Sequence, residues 1–314
     1  MNRHVKALTL LLAAQLAILI GVLLWQQRDV AGGGGQLLTL DRVQVDGILI
    51  VDDAGAQLKL ARGAAGWQLP GAGGLPADTD KVTQLLDKLF EASAPWPVAT
   101  TAESAKRFEV TPDKFQRHIQ LLIGDQVSGD VFLGTSPGFR KVHARLAESD
   151  DIYAITFANF EATTKADDWL DKSLLKPPGE ITSLVRPDQW SLSKNGDSWT
   201  LAGLDASQLT KQDAAKDLVN KIVNLRVMGV GEAPADDAKP VLELIAQTAD
   251  GEFDYRFYRA QEKSDFVVSR SGQTGYFRVA AYVGEPLLVE RSGLFGSAEA
   301  APRPAPDKPL PAKP

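Results

Sequence analysis

The chain has 314 residues, 44% hydrophobic and 24% charged, which is apolar material for one large core or two moderate ones. A net charge of −6, a pI near 5.2 and the lack of any basic block exclude a nucleic-acid footprint. With no cysteine the chain has no disulfide, thiolate metal site or cysteine nucleophile, which accords with an oxidising compartment.

Residues 1–6 carry Arg3, His4 and Lys6 ahead of an uncharged stretch, Ala7 to Trp25. At a helical rise of ~1.5 Å per residue that stretch reaches roughly 28 Å, the thickness of a bilayer's hydrocarbon. It is read as a transmembrane helix over 7–25, with Trp25 at the interface. By the positive-inside rule the basic flank keeps residues 1–6 in the cytoplasm and places everything after Gln26 on the far side of the membrane. A cleaved signal is the competing reading, with Val30-Ala31-Gly32 as its weak cleavage site. Residues 26–40, with the run Gly32 to Gly35, read as a flexible stalk; no strand precedes the glycines and no Lys-Ser/Thr follows them, so they form no phosphate loop.

Two similar stretches follow. In the first, Val82, Leu85, Leu86 and Leu89 lie on one helical face; in the second, Ala215, Leu218, Val219 and Ile222 repeat the pattern at a constant offset of 133. Asp78 and Thr210 are the expected N-caps, with Asp213 completing a capping box. Trp67 and Trp199 lie 132 positions apart just upstream. Downstream, Ile119 and Leu121 correspond to Leu242 and Leu244, and Tyr153 to Tyr276, now at an offset of 123. The first copy therefore holds about ten extra residues, within "SAPWPVATTAESAKRFEVTPDKF". Short alternating strands such as "ILIVDD", "QLKLAR", "KVHARL" and "IYAI", with turn signals such as Asn195-Gly196-Asp197, surround each helix. Trp169, Leu170, Leu174 and Leu175 predict a short linker helix stopped by Pro177-Pro178. The expected fold is thus α+β: an N-terminal transmembrane helix, then two tandem repeats of antiparallel sheet with one packed helix each. The repeats are 41–178, with the linker helix, and 179–296; an Ala/Pro-rich tail, 297–314, buries too little to order itself.

Trp67-Gln68-Leu69, Ala77-Asp78 opening the first helix, "LLIGDQVSGDVFLG", "KVHARL", "DDIYAI" and Asp168-Trp169-Leu170-Asp171-Lys172 together resemble the domain-of-unknown-function family numbered 4340. The resemblance is best over about residues 48–176 and looser in the second copy. It implies a membrane-anchored envelope accessory of the bacterial inner membrane with its C-terminal domain in the periplasm, often encoded beside components similar to the ABC-type gliding-motility auxiliary transporter. It implies no catalytic residue.

The candidate chemistry is sparse. His118 and His143 fall in predicted strands without metal-ligand spacing, and the pairs Asp52-Asp53, Asp150-Asp151, Asp167-Asp168 and Asp236-Asp237 do not converge on one face. No nucleophile elbow is present. Asp168, Trp169, Asp171 and Lys172 form the possible interface, an aromatic anchor ringed by charge, against which stands internal packing of Trp169. Tyr255, Phe257 and Tyr258 with Arg256 and Arg259 make either an aromatic-basic face or an amphipathic strand. The expectation is a non-enzymatic single-pass accessory with no cofactor and no metal, holding the lipid bilayer through 7–25 and an envelope partner such as an ABC-type transporter component through its ectodomain. The alternatives are an extracytoplasmic module binding lipid or glycan between the copies, and an unrecognised hydrolase.

Overall fold

The computed structural model describes Gln15 and residues 35–94, 96–260 and 265–297. It divides into two units, Met1–Asp171 and Lys172–Pro314.

Unit 1 contains β1 (Gly47–Asp52), β2 (Gln57–Gly63), β3 (Gly66–Leu69), β4 (Leu75–Pro76), α1 (Thr79–Phe90), α2 (Ala102–Phe108), β5 (Val110–Thr111), β6 (Lys114–Phe115), β7 (Arg117–Ile123), β8 (Gln126–Leu133), β9 (Lys141–Leu146), β10 (Ile152–Thr156) and α3 (Ala166–Trp169). Eight of the strands form one antiparallel sheet in the order β10-β9-β8-β7-β1-β2-β3-β4. Alternation decides which face is buried. In β2, Leu58 and Leu60 point inward while Gln57 and Lys59 face water. Ile48 lies between Leu60 and Leu121 across the ladder, and Ile50 between Leu58 and Ile119, giving contiguous apolar rows. Helix α1 is capped by the Asp78 carboxylate, which accepts from the Lys81 N–H at 3.0 Å. It buries Val82, Leu85, Leu86, Leu89 and Phe90. Each such side chain removed from water contributes about 1.5–3 kcal/mol.

Unit 2 contains β11 (Ser183–Arg186), β12 (Trp190–Asn195), β13 (Ser198–Leu201), β14 (Gln208–Thr210), α4 (Gln212–Val223), β15 (Gly229–Gly231), β16 (Leu242–Thr248), β17 (Gly251–Arg259), β18 (Phe266–Arg270), β19 (Gln273–Val279), α5 (Ala281–Gly284) and β20 (Phe295–Ser297). Its large sheet runs β13-β12-β11-β16-β17-β18-β19-β15 and is antiparallel throughout. The first seven strands follow the chain path of β3-β2-β1-β7-β8-β9-β10 in unit 1. Leu242, Phe257, Val268 and Phe277 form a buried row across four strands.

Several expectations are overturned. The protein is mostly antiparallel sheet in two large sheets rather than α+β with one helix per repeat, and residues 35–171 of unit 1 carry α1, α2 and α3. The short strands β4, β5, β6 and β15 have two or three residues each, too few to show a period. The expected N-terminal transmembrane helix has no counterpart among the described residues. Among the described residues no helix is long and apolar enough to cross a membrane, and the stretch 7–25 lies outside them apart from Gln15. The stalk 26–40 ends early, because Leu37 and Leu38 are buried and the Leu37 N–H donates to the Ala92 carbonyl at 3.0 Å. No linker helix spans 169–175: α3 stops at Trp169, where Leu170 turns extended and bridges to Ala77. Thr210 is no N-cap, since it lies in β14 and α4 opens after Lys211 without a side-chain cap.

Tyr255 shows what the interior of unit 2 demands. It is fully buried, and its hydroxyl donates to the Leu175 carbonyl at 2.7 Å. Burial pushes the phenol up from 10.0 to about 12. A raised phenol pKa means the folded state keeps the proton longer than the unfolded one. The stabilisation is therefore whole below about pH 10 and is lost as the pH rises toward 12. Tyr255→Phe is expected to cost about 1–2 kcal/mol by leaving the carbonyl unmatched, and to flatten the alkaline fall. Thermal unfolding followed from pH 9 to beyond pH 11 checks both; an alkaline limb identical to the parent's refutes the assignment.

Candidate functional site

The connection between α1 and β7 in unit 1 contains α2 and the β5–β6 hairpin, whereas the corresponding connection of unit 2 holds only β15. This longer connection builds one wall of a cleft of about 600 Å³. Asp52, Asp53 and Gly55 from the β1–β2 turn, Glu109, Asp113, Lys114, Phe115, Gln116 and Arg117 from the hairpin and the start of β7, and Asn159 line it.

Local chemistry makes each wall rigid. In the β1–β2 turn the Asp52 carboxylate accepts from the Ala54 and Ala56 N–H groups at 3.0 and 2.8 Å, and Gly55 takes a φ of 82°. The other Asp52 oxygen accepts from the Thr164 hydroxyl at 2.7 Å. Helix α2 starts at Thr101, whose hydroxyl oxygen accepts from the Ser104 N–H. It ends at Glu109, a non-glycine residue with φ 58°. That turn throws the Glu109 carboxylate toward Lys114 at 3.0 Å and Gln116 at 3.1 Å. Val110 anchors the hairpin in a small core with Ala105, Phe132 and Ile152. Arg117 donates from Nε to the Ala162 carbonyl at 2.8 Å and lies 3.7 Å from Asp53. The Asn159 amide nitrogen donates to Gln116 at 2.6 Å and to the Gly134 carbonyl at 2.9 Å, which fixes the amide's orientation.

The electrostatics point one way. Asp52 is held below its ordinary value chiefly by the Thr164 hydroxyl. Glu109 is lowered by the Gln116 amide and then by Lys114, and Asp113 by the Thr111 side chain and then by a backbone N–H. All three are fixed as anions. Asp53 and Lys114 remain largely open to solvent at the rim.

The residues singled out from sequence go elsewhere. Trp169 is fully buried, so it presents no anchor to a partner. Its indole N–H donates to the Thr163 carbonyl at 2.8 Å and the Lys81 ammonium sits 4.8 Å from the ring centroid. Segment 168–171 runs along 76–78: the Asp78 N–H donates to the Trp169 carbonyl and the Asp171 N–H to the Pro76 carbonyl. Asp168 accepts from the Thr163 hydroxyl at 2.9 Å, while Lys172 opens unit 2 and donates to the Met228 carbonyl at 2.6 Å. Trp169 is therefore internal scaffolding, whereas Asp168 is exposed and Asp171 and Lys172 are half-buried. His118 pairs with Asp130 at 2.5 Å, whereas His143 stacks on Phe108 at 3.9 Å and bonds Thr135. Burial holds His143 below the usual histidine range. Among the described residues no group of three or more His, Asp or Glu side chains is placed to hold a metal ion. Tyr255 and Phe257 are buried while Arg256 faces Glu243, so "FDYRFYR" is an amphipathic strand and not an aromatic-basic face.

Composition did not mark Glu109, Asp113, Lys114, Arg117 or Asn159. The one signal that pointed at the cleft was the extra length of the first copy between its helix and "HIQLLIG". A family profile described as a domain of unknown function (DUF4340) matches residues 67–242, more than half of the chain.

The chain belongs to the DUF4340 family.

The DUF4340 match begins at Trp67 in β3 and ends at Leu242 in β16, so it straddles both units instead of filling 48–176. Neither the curated proteins nor the solved structures contain a match to this DUF4340 chain.

Proposed function

We propose that this DUF4340 member is a non-enzymatic accessory protein that recognises a polar segment of an envelope partner, an ABC-type transporter component, in the cleft of unit 1. In this reading it works on the periplasmic side of the bacterial inner membrane, where the lack of cysteine is no handicap. One observation carries the recognition role: two cleft carboxylates are held in place by fixed partners, Asp52 by the Thr164 hydroxyl at 2.7 Å and Glu109 by Gln116 at 3.1 Å and Lys114 at 3.0 Å. A general acid needs its pKa raised toward the working pH; a recognition surface needs charges already formed and already oriented. The polar lining also speaks against an acyl chain as the ligand.

A photo-crosslinking amino acid in place of the exposed Lys114 tests this in intact cells. The expected result is one adduct with a transporter component. The adduct should be absent when the same group replaces Glu252 in unit 2 and reduced when Arg117→Ala alters the cleft. Recovery of nothing but the protein itself from Lys114 refutes the reading.

A further inference from the structure

Three loops meet at one end of the unit 1 sheet. The pairs Asp52↔Arg117, Arg117↔Leu133 and Lys141↔Thr156 put the β1–β2 turn, the start of β7 and the β8–β9 loop there together. Asn159 ties the cleft to the last of these. It lines the cleft, and its amide nitrogen donates to the Gly134 carbonyl at the base of the β8–β9 loop, 2.9 Å away. At the tip of that loop stands Phe139, 89% exposed.

The tip is held in place by its own hydrogen bonds. The Ser136 hydroxyl lies 2.7 Å from the carbonyls of both Gly138 and Lys141, and the Lys141 N–H donates to the Gly138 carbonyl at 3.2 Å. Arg140 takes a φ of 52°, and its carbonyl accepts from the Phe157 N–H at 3.1 Å. A left-handed backbone is costly for any residue but glycine and persists only where its surroundings enforce it. The enforced turn holds a large apolar ring in water. The Arg140 guanidinium lies 5.3 Å from the centroid of that ring, and Lys141 beside it is exposed. Among the described residues neither cation forms an ion pair.

We propose that Phe139 is the aromatic anchor of the interface whose polar half is the cleft, and that it enters an apolar socket edged by carboxylates on the partner. This rests on the reading of the cleft as a protein-recognition site. The two cations give the socket its chemistry, because carboxylates at its edge would complete Arg140 and Lys141 on either side of the buried ring. An anionic bilayer is the competing occupant of a cationic aromatic tip. The fixed carboxylates of Asp52 and Glu109 and the exposed Asp53 at the same end of the sheet disfavour it, since anionic headgroups would be repelled. An aromatic flanked by charge, the pattern the sequence suggested at Asp168–Lys172, is thus met at 139–141.

p-Benzoylphenylalanine at position 139 tests this in intact cells, because the photo-reactive residue keeps the phenylalanine ring. The expected adduct is with the same protein that the photo-crosslinker at position 114 captures. The same group in place of Val127, exposed at the opposite end of β8, should give none. Phe139→Ala is expected to lower the adduct from position 114 about tenfold. Arg140→Gly relieves the left-handed turn, so its melting temperature should match or exceed the parent's while that adduct falls, which separates loss of the tip from loss of the fold. If position 114 captures its partner while position 139 gives no adduct, or one with lipid alone, this inference is overturned and the cleft reading stands. An adduct from 139 only with a protein that 114 does not capture overturns it too. So does the same adduct from position 127, or an adduct from 114 that is undiminished in either variant. No partner adduct from either 114 or 139 refutes both readings.

Discussion

Gly134→Ala is expected to destabilise unit 1 by about 3 kcal/mol or more and to dismantle the cleft wall. The reason is contact and not backbone conformation, since Gly134 is absent from the positive-φ residues. A Cβ at this position would lie 2.0 Å from the Phe108 carbonyl oxygen and 2.5 Å from that of Glu109. Both obstacles are backbone, so no side-chain rotation relieves them. The end of α2 must retreat, which breaks the bond from the Thr135 N–H to the Phe108 carbonyl, 2.8 Å in the parent. It also carries away Glu109, whose left-handed turn aims its carboxylate at Lys114 and Gln116. Thermal unfolding should shift down by about 6–12 °C for a unit of this size. Hydrogen exchange should show faster opening at Ala102–Phe108 than in the sheet. A melting temperature within a degree or so of the parent's would show that the close approach is not required.

Arg145→Ala is expected to cost a similar amount, about 3–5 kcal/mol, by a different route. Arg145 is buried on β9, and its guanidinium is satisfied by main-chain carbonyls instead of a carboxylate. Nε donates to Val110 at 2.7 Å, and Nη1 donates to Leu146 at 3.1 Å, Ala147 at 3.3 Å and Ser149 at 2.9 Å. The same group lies over the Phe132 ring at 5.3 Å. One side chain therefore ties the hairpin that carries the cleft to the turn before β10. Truncation leaves the buried Val110 carbonyl without this donor, frees the 146–149 turn and opens a void against Phe132. Arg145→Lys should recover little, because a single ammonium cannot reach Val110 and the 146–149 turn together as the forked guanidinium does. Denaturant unfolding of the parent, Arg145→Ala and Arg145→Lys makes the comparison. Full recovery by lysine would mean that charge alone, and not the fork, holds the turn.

Much of the local structure was legible. The faces Val82-Leu85-Leu86-Leu89 and Ala215-Leu218-Val219-Ile222 are buried as their spacing requires, and Trp67 and Trp199 sit in the interior. Asp78 caps its helix because a cap bonds within three residues of itself. The failures share a cause. Thr210 has the composition of an N-cap, but β20 recruits its strand and Leu201 takes its hydroxyl. Asp168-Trp169 has the composition of an interface, but its partners, Lys81 and Asp78, lie some ninety positions earlier in the chain. The cleft was hidden for the same reason: Asp52, Glu109, Arg117 and Asn159 share no motif and come together only through strand pairing.

What the sequence by itself determined is therefore everything that repeats at short range: the two amphipathic helices, the alternation of the long strands, the first helix cap and membership of a family. Period and capping are properties of a few adjacent residues, and burial rewards them wherever the segment ends up. Only the tertiary structure decided which strands pair, which tryptophan is scaffold, and where charged side chains face one another. Those depend on backbone hydrogen bonds between distant segments, and such bonds are made by groups that every residue carries alike.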